Sequence, residues 1–439
     1  MAEVWPFKGI QYNMASVGDM SKVIAPPFDV ISPEMQSRLH ERHEANIVRL
    51  ILADEKRLRA GANDRYDSAR LCLEDWLRVG ILAQSVEPAV YLMAQDFELG
   101  GRHTRWGFIA TIKLEELDSG IVVPHEATMD KPKADRLKLI SACEANLSPV
   151  FTCYFDSEGK IGAVLKGASE EAPQFAATDD DGIVIRVWKI DDPARLDALH
   201  KVMADHQLFI ADGHHRYESA LNYRNLMREK VGVVKDAPWE RVMIYLTDFE
   251  DPALLALPIH RSIRHLKGWT PDEFIRELKH SFEVSEMGID LSKNPNEGLR
   301  NLIRVMAENS ADGSAIGMVL REKPCPFIIK PLKKALQNIT DIPEPLKELD
   351  IIQLHRLALG DILEIREKDL RDGEVIVYNH DSNSALNKVM KDGWAAAFFL
   401  NRLRVGQIRR VCSAGLRMHQ KSTYFYPKIP SGAVIHRLR

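Results

Sequence analysis

The run ADGHHR at residues 211–216 concentrates side chains that bind anions and transfer protons. A short apolar strand is predicted just before it and a helix just after it. Gly213 lets the backbone turn sharply and approach a ligand closely. The first N–H groups of a helix lack intrahelical partners and lie at the positive end of its dipole. Arg216 can add a bidentate contact to oxyanions. The run therefore predicts an anion-binding strand-to-helix junction, and phosphate is the anion that we expect.

The other side chains of this junction add proton chemistry. His214 and His215 are donors whose charge changes near neutral pH. Asp212 could cap the helix, orient a histidine, or bind a metal that accompanies a nucleotide. The two histidines point about 100° apart on a helix, so they are poor joint ligands for one metal. The alternative interpretation is a capped helix start with solvated histidines.

A second polar cluster lies at residues 124–137. His125 and Glu126 are a pair that could exchange protons, and Lys133 and Arg136 could bind phosphate oxygens. The alternative is a solvated loop followed by a helix at 134–145 whose charges face water.

A third cluster lies near the end of the chain, where Lys421, Ser422 and Thr423 could all contact phosphate. A surface loop with aromatic packing is the alternative interpretation, and we favour it on residue type alone. Asp29 and Glu34 are weaker candidates, because exposed carboxylates are common at helix starts.

Turn residues and hydrophobic patterning predict the elements that position these clusters. Ser32 followed by Pro33 is typical of a helix start, and Gly100 with Gly101 predicts a tight hairpin turn between strands 91–99 and 102–114. Apolar residues alternate with mostly polar ones on the second of these strands, which predicts one buried sheet face. Further predicted strands are 46–52, 150–155, 183–188, 207–211, 242–248, 313–321 with 326–329, 374–378 and 395–400; the predicted helices are 33–41, 66–79, 134–145, 214–229, 271–280, 296–308, 349–363 and 382–391.

Composition narrows the class of protein. The chain has 439 residues, a formal net charge of −4 and a pI near 6.4, so binding to nucleic acid is not expected. Five scattered cysteines without CxxC spacing favour reduced thiols. The sequence shows no signal peptide and no apolar run of about 18 residues or more, so we expect a soluble, cytoplasmic protein without a membrane partner.

Seven motifs together resemble the uncharacterised prokaryotic family called domain of unknown function 1015. They are APPFDVIS (25–32), NIVRL (46–50), PHEAT (124–128), DRL (135–137), ANLSP (145–149), ADGHHRY (211–217) and KSTYFYPK (421–428). They follow one another along almost the whole chain, so the resemblance is specific. That family is distantly similar to free-serine kinases and to the ParB and sulfiredoxin fold.

The resemblance implies an α/β (α+β) protein. A charged stretch with Gly and Pro at 231–240 and a looser boundary near 339–345 divide the chain into three regions. A mixed-sheet ParB/sulfiredoxin-like domain would span 1–240, a middle α/β region 241–340, and a C-terminal α/β region 341–439. It also implies that residues 212–216 hold the phosphates of ATP or ADP, with Mg²⁺ as a companion ion. In the serine kinases an N-terminal carboxylate acts as base, and Asp29 or Glu34 lies in roughly the corresponding region.

Three functions remain open on this basis. The first is a phosphotransferase that moves phosphate between a nucleotide and a small hydroxylated metabolite, with free serine as the leading candidate. The second is a nucleotide-binding regulatory protein without turnover, which would be compatible with a homodimer. The third is a hydrolase of phosphorylated metabolites that uses His125 and Glu126 as proton carriers.

Overall fold

The structure is a computed structural model that describes residues 2–126, 130–310, 313–366, 369, 373–418 and 421–439. Contacts divide the chain into two compact units. Unit 1 comprises residues 1–255 and 427–439, and unit 2 comprises residues 256–426. Among the helices described, none is long and apolar enough to cross a lipid bilayer.

Strands and helices alternate irregularly along the chain. The strands are β1 (Val4–Trp5), β2 (Ile10–Tyr12), β3 (Leu82–Gln84), β4 (Val90–Glu98), β5 (Arg102–Lys113), β6 (Val122–Pro124), β7 (Ala145–Asn146), β8 (Val150–Tyr154), β9 (Phe175–Thr178), β10 (Val184–Ile190), β11 (Leu208–Asp212), β12 (Arg241–Asp248), β13 (Leu255–Leu257), β14 (His260–Ile263), β15 (Phe282–Glu286), β16 (Ile316–Leu320), β17 (Phe327–Pro331), β18 (Ile376–Asn379), β19 (Ala396–Phe399), β20 (Tyr424–Tyr426) and β21 (His436–Arg437). The α-helices are α1 (Met14–Val17), α2 (Pro33–Arg42), α3 (Val48–Ile51), α4 (Arg65–Arg78), α5 (Asp130–Cys143), α6 (Lys160–Leu165), α7 (Pro193–Met203), α8 (His214–Val231), α9 (Pro271–Leu278), α10 (Pro295–Asn309), α11 (Lys333–Gln337), α12 (Glu344–Lys347), α13 (Asp350–Gln353), α14 (Ser382–Met390) and α15 (Val405–Ser413).

Unit 1 is built on a nine-stranded mixed sheet. Its strand order is β6-β11-β8-β12-β5-β4-β10-β9, with β1 added beside β5. The β6–β11 and β8–β12 pairs are parallel and the other pairs are antiparallel. Helix α8 packs on this sheet through Tyr217, Ala220 and Leu221. These positions are three or four residues apart, so they share one face of the helix.

Unit 2 contains a six-stranded antiparallel sheet of order β15-β17-β16-β19-β14-β18. One cluster of buried side chains includes Phe274, Leu278 and Phe398, and a second cluster includes Leu302, Leu386 and Phe399. Phe398 and Phe399 are adjacent in β19 and point to opposite faces. The sheet is therefore covered on both sides.

The two units do not follow the three regions predicted from the sequence. Strand β12 pairs with β5 and β8, so the predicted boundary at 240 cuts through the sheet of unit 1. Strands β18 and β19 pair with β14, and β19 pairs with β16, so the regions 241–340 and 341–439 share one sheet. Residues 427–439 return to unit 1. Pairing between distant strands overrides the local composition from which the boundaries were predicted.

Most of the predicted elements are confirmed, and so is the α/β class. The Ser32 hydroxyl accepts a hydrogen bond from the Met35 N–H at the start of α2, and β4 and β5 pair as a hairpin around Gly100 and Gly101. The predicted helix at 349–363 is present, but it continues as a π-helix from Leu354 to Gly360. The ParB/sulfiredoxin-like assignment of the N-terminal region stays a prediction.

The predicted strand at 46–52 is wrong, because these residues form the short helix α3. Asn46 explains the difference. Its side chain donates to the Lys22 carbonyl at 2.7 Å and accepts from the Val48 N–H at 3.0 Å, which turns the chain locally. The apolar residues that follow are fully buried, and a short buried apolar run does not distinguish a strand from a helix.

Candidate functional site

The DGHHR junction and the His125 segment meet at one edge of the unit 1 sheet. Strands β6 and β11 are parallel neighbours, and Pro124 lies opposite Ile210. Because parallel neighbours end at the same edge, the residues after each strand come together. His125 therefore contacts Ile210 and His214, although 86 residues separate the facing positions Pro124 and Ile210.

Helix α8 begins at this edge without a side-chain cap. Gly213 precedes it in the left-handed region, with φ 86° and ψ 29°, and as a glycine it supplies no capping side chain. Its first N–H groups are therefore positioned to bind an anion. Other helices have a capping side chain, namely Ser32 in α2, Asp64 in α4, Asp192 in α7, Thr270 in α9, Asn294 in α10 and Asp381 in α14.

Arg216 folds back over Gly213. A Cβ at position 213 would lie 2.7 Å from the Arg216 Cζ and Nε atoms, so only glycine leaves room for this guanidinium. Its Nη1 donates to the Pro149 carbonyl, and its Nη2 donates to an Asp212 carboxylate oxygen at 2.5 Å. Its Nε is a buried donor without a partner among the described residues. Arg216 thus lies at the predicted anion site, with two of its three nitrogens engaged.

Asp212 is shared by two cations. One of its oxygens pairs with Arg216 at 2.5 Å and the other with the Lys428 Nζ at 2.6 Å. Burial by itself would raise the pKa of Asp212, but the charges of Lys428 and Arg216 outweigh burial and hold that pKa well below its usual range. Asp212 therefore stays ionised and is a weak proton acceptor. One carboxylate between two cations leaves one net positive charge.

Lys428 is the residue that the sequence interpretation missed, although it closes the KSTYFYPK motif. Two buried side chains hold its backbone. The Arg105 guanidinium donates to the Pro427 carbonyl at 2.6 Å, and the Gln95 amide donates to the Lys428 carbonyl at 3.0 Å. Arg105 and Gln95 face each other across β5 and β4, and their side chains also hydrogen-bond to each other. They act as positioning residues for Lys428.

The imidazole rings of His125 and His214 contact each other. Their rings are 4.8 Å apart between centroids, and the His125 backbone N–H donates to His214 Nε2 at 3.4 Å. Burial and the neighbouring His125 lower the pKa of His214 to about 3, so His214 is neutral at physiological pH. His125 Nδ1 lies 2.5 Å from the Ile210 carbonyl, and its Nε2 lies 3.7 Å from the Glu126 carboxylate. At this distance the Glu126 carboxylate can stabilise a protonated His125 electrostatically.

Lys133 and Arg136 lie on α5, which packs against α8, but both have local partners. Lys133 pairs with Glu218 of α8 at 3.2 Å. Arg136 binds Asp135 through two nitrogens and donates to the Ile51 carbonyl at 2.8 Å. Its guanidinium lies 3.9 Å from the centre of the Phe28 ring. Each of the three guanidinium nitrogens of Arg136 therefore already donates a hydrogen bond within the protein.

Lys421, Ser422 and Thr423 belong to unit 2, where the Lys421 carbonyl accepts a hydrogen bond from Arg261 at 2.7 Å.

Two N-terminal carboxylates and one histidine complete the set of predicted site residues. Asp29 is exposed in a 3₁₀ turn, and the exposed Glu34 accepts a hydrogen bond from Ser32 at 2.8 Å. His215 is half-buried in the first turn of α8. The roles of all these residues stay predictions. In the PHEAT motif, residues 127 and 128 lie outside the described part of the chain.

A metal role for Asp212 does not fit this geometry. Both of its oxygens are engaged by cations. Within the described ranges, no group of three or more His, Cys, Asp or Glu side chains could hold a metal ion. We therefore assign no step to Mg²⁺.

Three solved structures resemble the fold weakly. A conserved hypothetical protein from Pyrococcus furiosus is 14% identical, with a TM-score of 0.33, over 74% of this chain and 93% of that one. A free serine kinase in complex with AMP is 13% identical, with a TM-score of 0.34, over 72% and 86%. SbnI with a C-terminal truncation, from Staphylococcus aureus, is 7% identical, with a TM-score of 0.34, over 73% and 84%. Likenesses at this level carry no argument about function.

Sequence comparison is more decisive about the family. No curated protein matches the chain significantly. The family model described as "Protein of unknown function (DUF1015)" matches residues 4–352, which include the 124–137 cluster and the DGHHR junction. The chain therefore belongs to the DUF1015 family.

Proposed function

We propose that the start of α8 binds the phosphates of a nucleotide, ATP or ADP, and that the protein is a phosphotransferase acting on a small hydroxylated metabolite. The observation that carries the proposal is the uncapped helix start, flanked by Arg216 and Lys428 around one carboxylate. Helix N–H groups and the two cations around Asp212 complement the anionic oxygens of a phosphate.

The charge arrangement suits phosphoryl transfer in particular. That reaction relies on positioning and on stabilising charge that spreads over the phosphoryl oxygens. Asp212 already holds both cations, at 2.5 and 2.6 Å, so little reorganisation would be needed when phosphate arrives. Lys428 can approach a phosphate as a point charge, and the N–H groups of α8 supply directed hydrogen bonds.

A proton acceptor is also within the site. In the proposed step, the metabolite hydroxyl oxygen forms a bond to the terminal phosphorus, and the bond from that phosphorus to the bridging oxygen breaks. The hydroxyl proton passes to His125 Nε2, which Glu126 stabilises once it is protonated, since the two groups lie 3.7 Å apart. The shortened nucleotide leaves with the electron pair of the broken bond. Free serine is the first acceptor to test.

The experiment measures nucleotide binding by calorimetry and nucleotide consumption with serine and other small alcohols. Lys428→Met should weaken ATP or ADP binding by about tenfold or more, because it removes a buried cation from the phosphate site. Lys201→Met is the matched control. Lys201 also pairs with an aspartate at 2.6 Å, but it is 71% exposed on α7.

The outcomes separate the three functions that the sequence left open. Binding with turnover supports the phosphotransferase, and tight binding without turnover on any acceptor would indicate a regulatory protein instead. Phosphate release from phosphoserine without nucleotide would favour the hydrolase that uses His125 and Glu126. If Lys428→Met binds nucleotide as tightly as Lys201→Met does, the phosphate site is not at α8.

A further inference from the structure

A groove of about 850 Å³ lies between helices α10 and α14 of unit 2. Helix α10 connects β15 to β16, and α14 connects β18 to β19. In the sheet, β15 is parallel to β16 and β18 is parallel to β19, whereas β16 and β19 are antiparallel neighbours. Because each helix runs back between two parallel strands, α10 and α14 are antiparallel. Leu302 and Leu386 belong to one buried cluster, so the helices lie side by side on one face of the sheet.

The walls of this α10–α14 groove repeat along each helix. The lining positions include two series with a spacing of four residues: Pro295, Leu299 and Ile303 from α10, and Ser382, Leu386 and Met390 from α14. Four residues of an α-helix rise about 6 Å, which is also the spacing of the i, i+4 ridge on any other helix. Ile303 is half-buried and Met390 is 40% exposed, so both present apolar surface. The groove therefore matches one apolar ridge of a third helix.

The charged groups of the groove are positive. Arg300 and Lys391 line it, and its described lining residues include no carboxylate. Both side chains are exposed, and neither forms an ion pair or a side-chain hydrogen bond within the described ranges. Lys391 directly follows α14, so the antiparallel arrangement places it near the start of α10, and Arg300 lies in the second turn of α10. Both cations thus lie towards one end of the groove, where the α10 dipole adds partial positive charge.

The carboxylates next to these cations along the chain already have partners. Glu297 accepts a hydrogen bond from the Asn294 amide at 2.7 Å, and Asp392 pairs with Lys388 at 2.8 Å. Arg300 and Lys391 are therefore available to carboxylates that come from outside the chain.

We propose that the α10–α14 groove docks an acidic amphipathic helix of a partner protein, of about two to three turns. Its apolar ridge packs on Ile303 and Met390, and its carboxylates pair with Arg300 and Lys391. The C-terminal end of the partner helix lies at these cations, because that end carries partial negative charge. A second copy of this chain is a poorer occupant, since a two-fold contact would bring two positive surfaces together.

The test uses the full chain and a fluorescent, stapled helical peptide with leucine at every fourth position and glutamate beside each leucine. Fluorescence anisotropy should show saturable binding that weakens as salt increases. Replacing both cations, in the double variant Arg300→Glu with Lys391→Glu, should weaken binding by about tenfold, and Met390→Asp should also weaken it. Arg276→Glu is the matched control, because Arg276 is exposed on α9 and does not line the groove. Circular dichroism verifies that each variant is folded.

The charge-reversed peptide, with lysine in place of glutamate, provides the sharpest comparison. It should bind the double variant more tightly than the wild type, a reversal that a merely structural effect of the substitutions would not produce. Absence of saturable binding, or equal binding of the acidic peptide by the double variant and by Arg276→Glu, would overturn the proposal. Dimerisation in sedimentation experiments that Met390→Asp abolishes would assign the groove to a second copy and overturn it as well.

Discussion

Gly213→Ala should damage both the stability of unit 1 and the anion site, because Arg216 occupies the space that a Cβ needs. Position 213 has φ 86°, and the left-handed conformation costs an L-residue about 1–2 kcal/mol. The guanidinium must also retreat from 2.7 Å to at least 3.4 Å from the new Cβ. That movement breaks the hydrogen bond to Asp212, a contact to a charged group worth about 1.5–3 kcal/mol. The total loss is about 2.5–5 kcal/mol.

Gly159→Ala is the matched control for this change. Gly159 also precedes a helix, α6, in the left-handed region and without a side-chain cap, with φ 66°. A Cβ there would meet nothing within 4 Å. Gly159→Ala therefore carries the backbone strain alone, and Gly213→Ala should cost about 1.5–3 kcal/mol more. Urea unfolding of the two full-length variants, followed by circular dichroism, measures the difference.

Two results would refute this reasoning. Equal losses of unfolding free energy in Gly213→Ala and Gly159→Ala would show that the contact between Arg216 and Gly213 contributes nothing. Calorimetry provides the second test, since Gly213→Ala should lose nucleotide binding and Gly159→Ala should retain it. Unchanged ATP and ADP affinity in Gly213→Ala would show that the nucleotide does not bind at the start of α8.

Three further predictions concern the pH dependence of stability, the positioning of Lys428 and the accessibility of the cysteines. The pKa of His214 is lowered to about 3 in the folded protein, against about 6.5 when unfolded. As pH falls below about 6.5 the unfolded chain takes up a proton that the folded chain does not. The free energy of unfolding should therefore fall by up to about 1.4 kcal/mol per pH unit from this group, and His214→Gln should flatten the profile. Gln95→Glu keeps an acceptor for Arg105 but loses the donor to the Lys428 carbonyl, so nucleotide affinity should drop severalfold by calorimetry. Cys325 is the one cysteine that is not fully buried, so a thiol reagent should label one thiol in the native protein and five after denaturation.

Each of these predictions has a contradicting result. A pH profile with the same slope in His214→Gln and in the wild type would show that His214 titrates normally. The Gln95→Glu effect should vanish in a Lys428→Met background, because both changes act on one ammonium. Additive losses would mean that Gln95 does not work through Lys428. Rapid labelling of more than one native thiol would contradict the packing around the four buried cysteines.

Local sequence signals predicted much of the fold. The hairpin at Gly100 and Gly101 and the cap at Ser32 depend on hydrogen bonds and dihedral angles within a few residues, so the pattern of neighbours is sufficient. The strand predicted at 46–52 was wrong because a distant contact decides this segment. The Asn46 side chain donates to the carbonyl of Lys22, which is far away in the sequence. Arg105 shows a second limit. The alternation along β5 predicted one buried face, but Arg105 is fully buried on the other, where Phe151 and Tyr245 cover its guanidinium.

The sequence by itself determined the strand-to-helix junction at 211–216, its glycine and the family. These features depend on consecutive residues. Only the tertiary structure decided what surrounds Asp212. Lys428 is 216 positions away along the chain, and it arrives because residues 427–439 return to unit 1, where Arg105 and Gln95 hold them. The hydrogen bonds from Arg216 to the Asp212 carboxylate and to the Pro149 carbonyl could not be predicted from the sequence either. A buried charged side chain must pair with a group that the fold brings close to it. The order of the strands in the sheet decides which group that is, and the spacing of residues along the sequence does not.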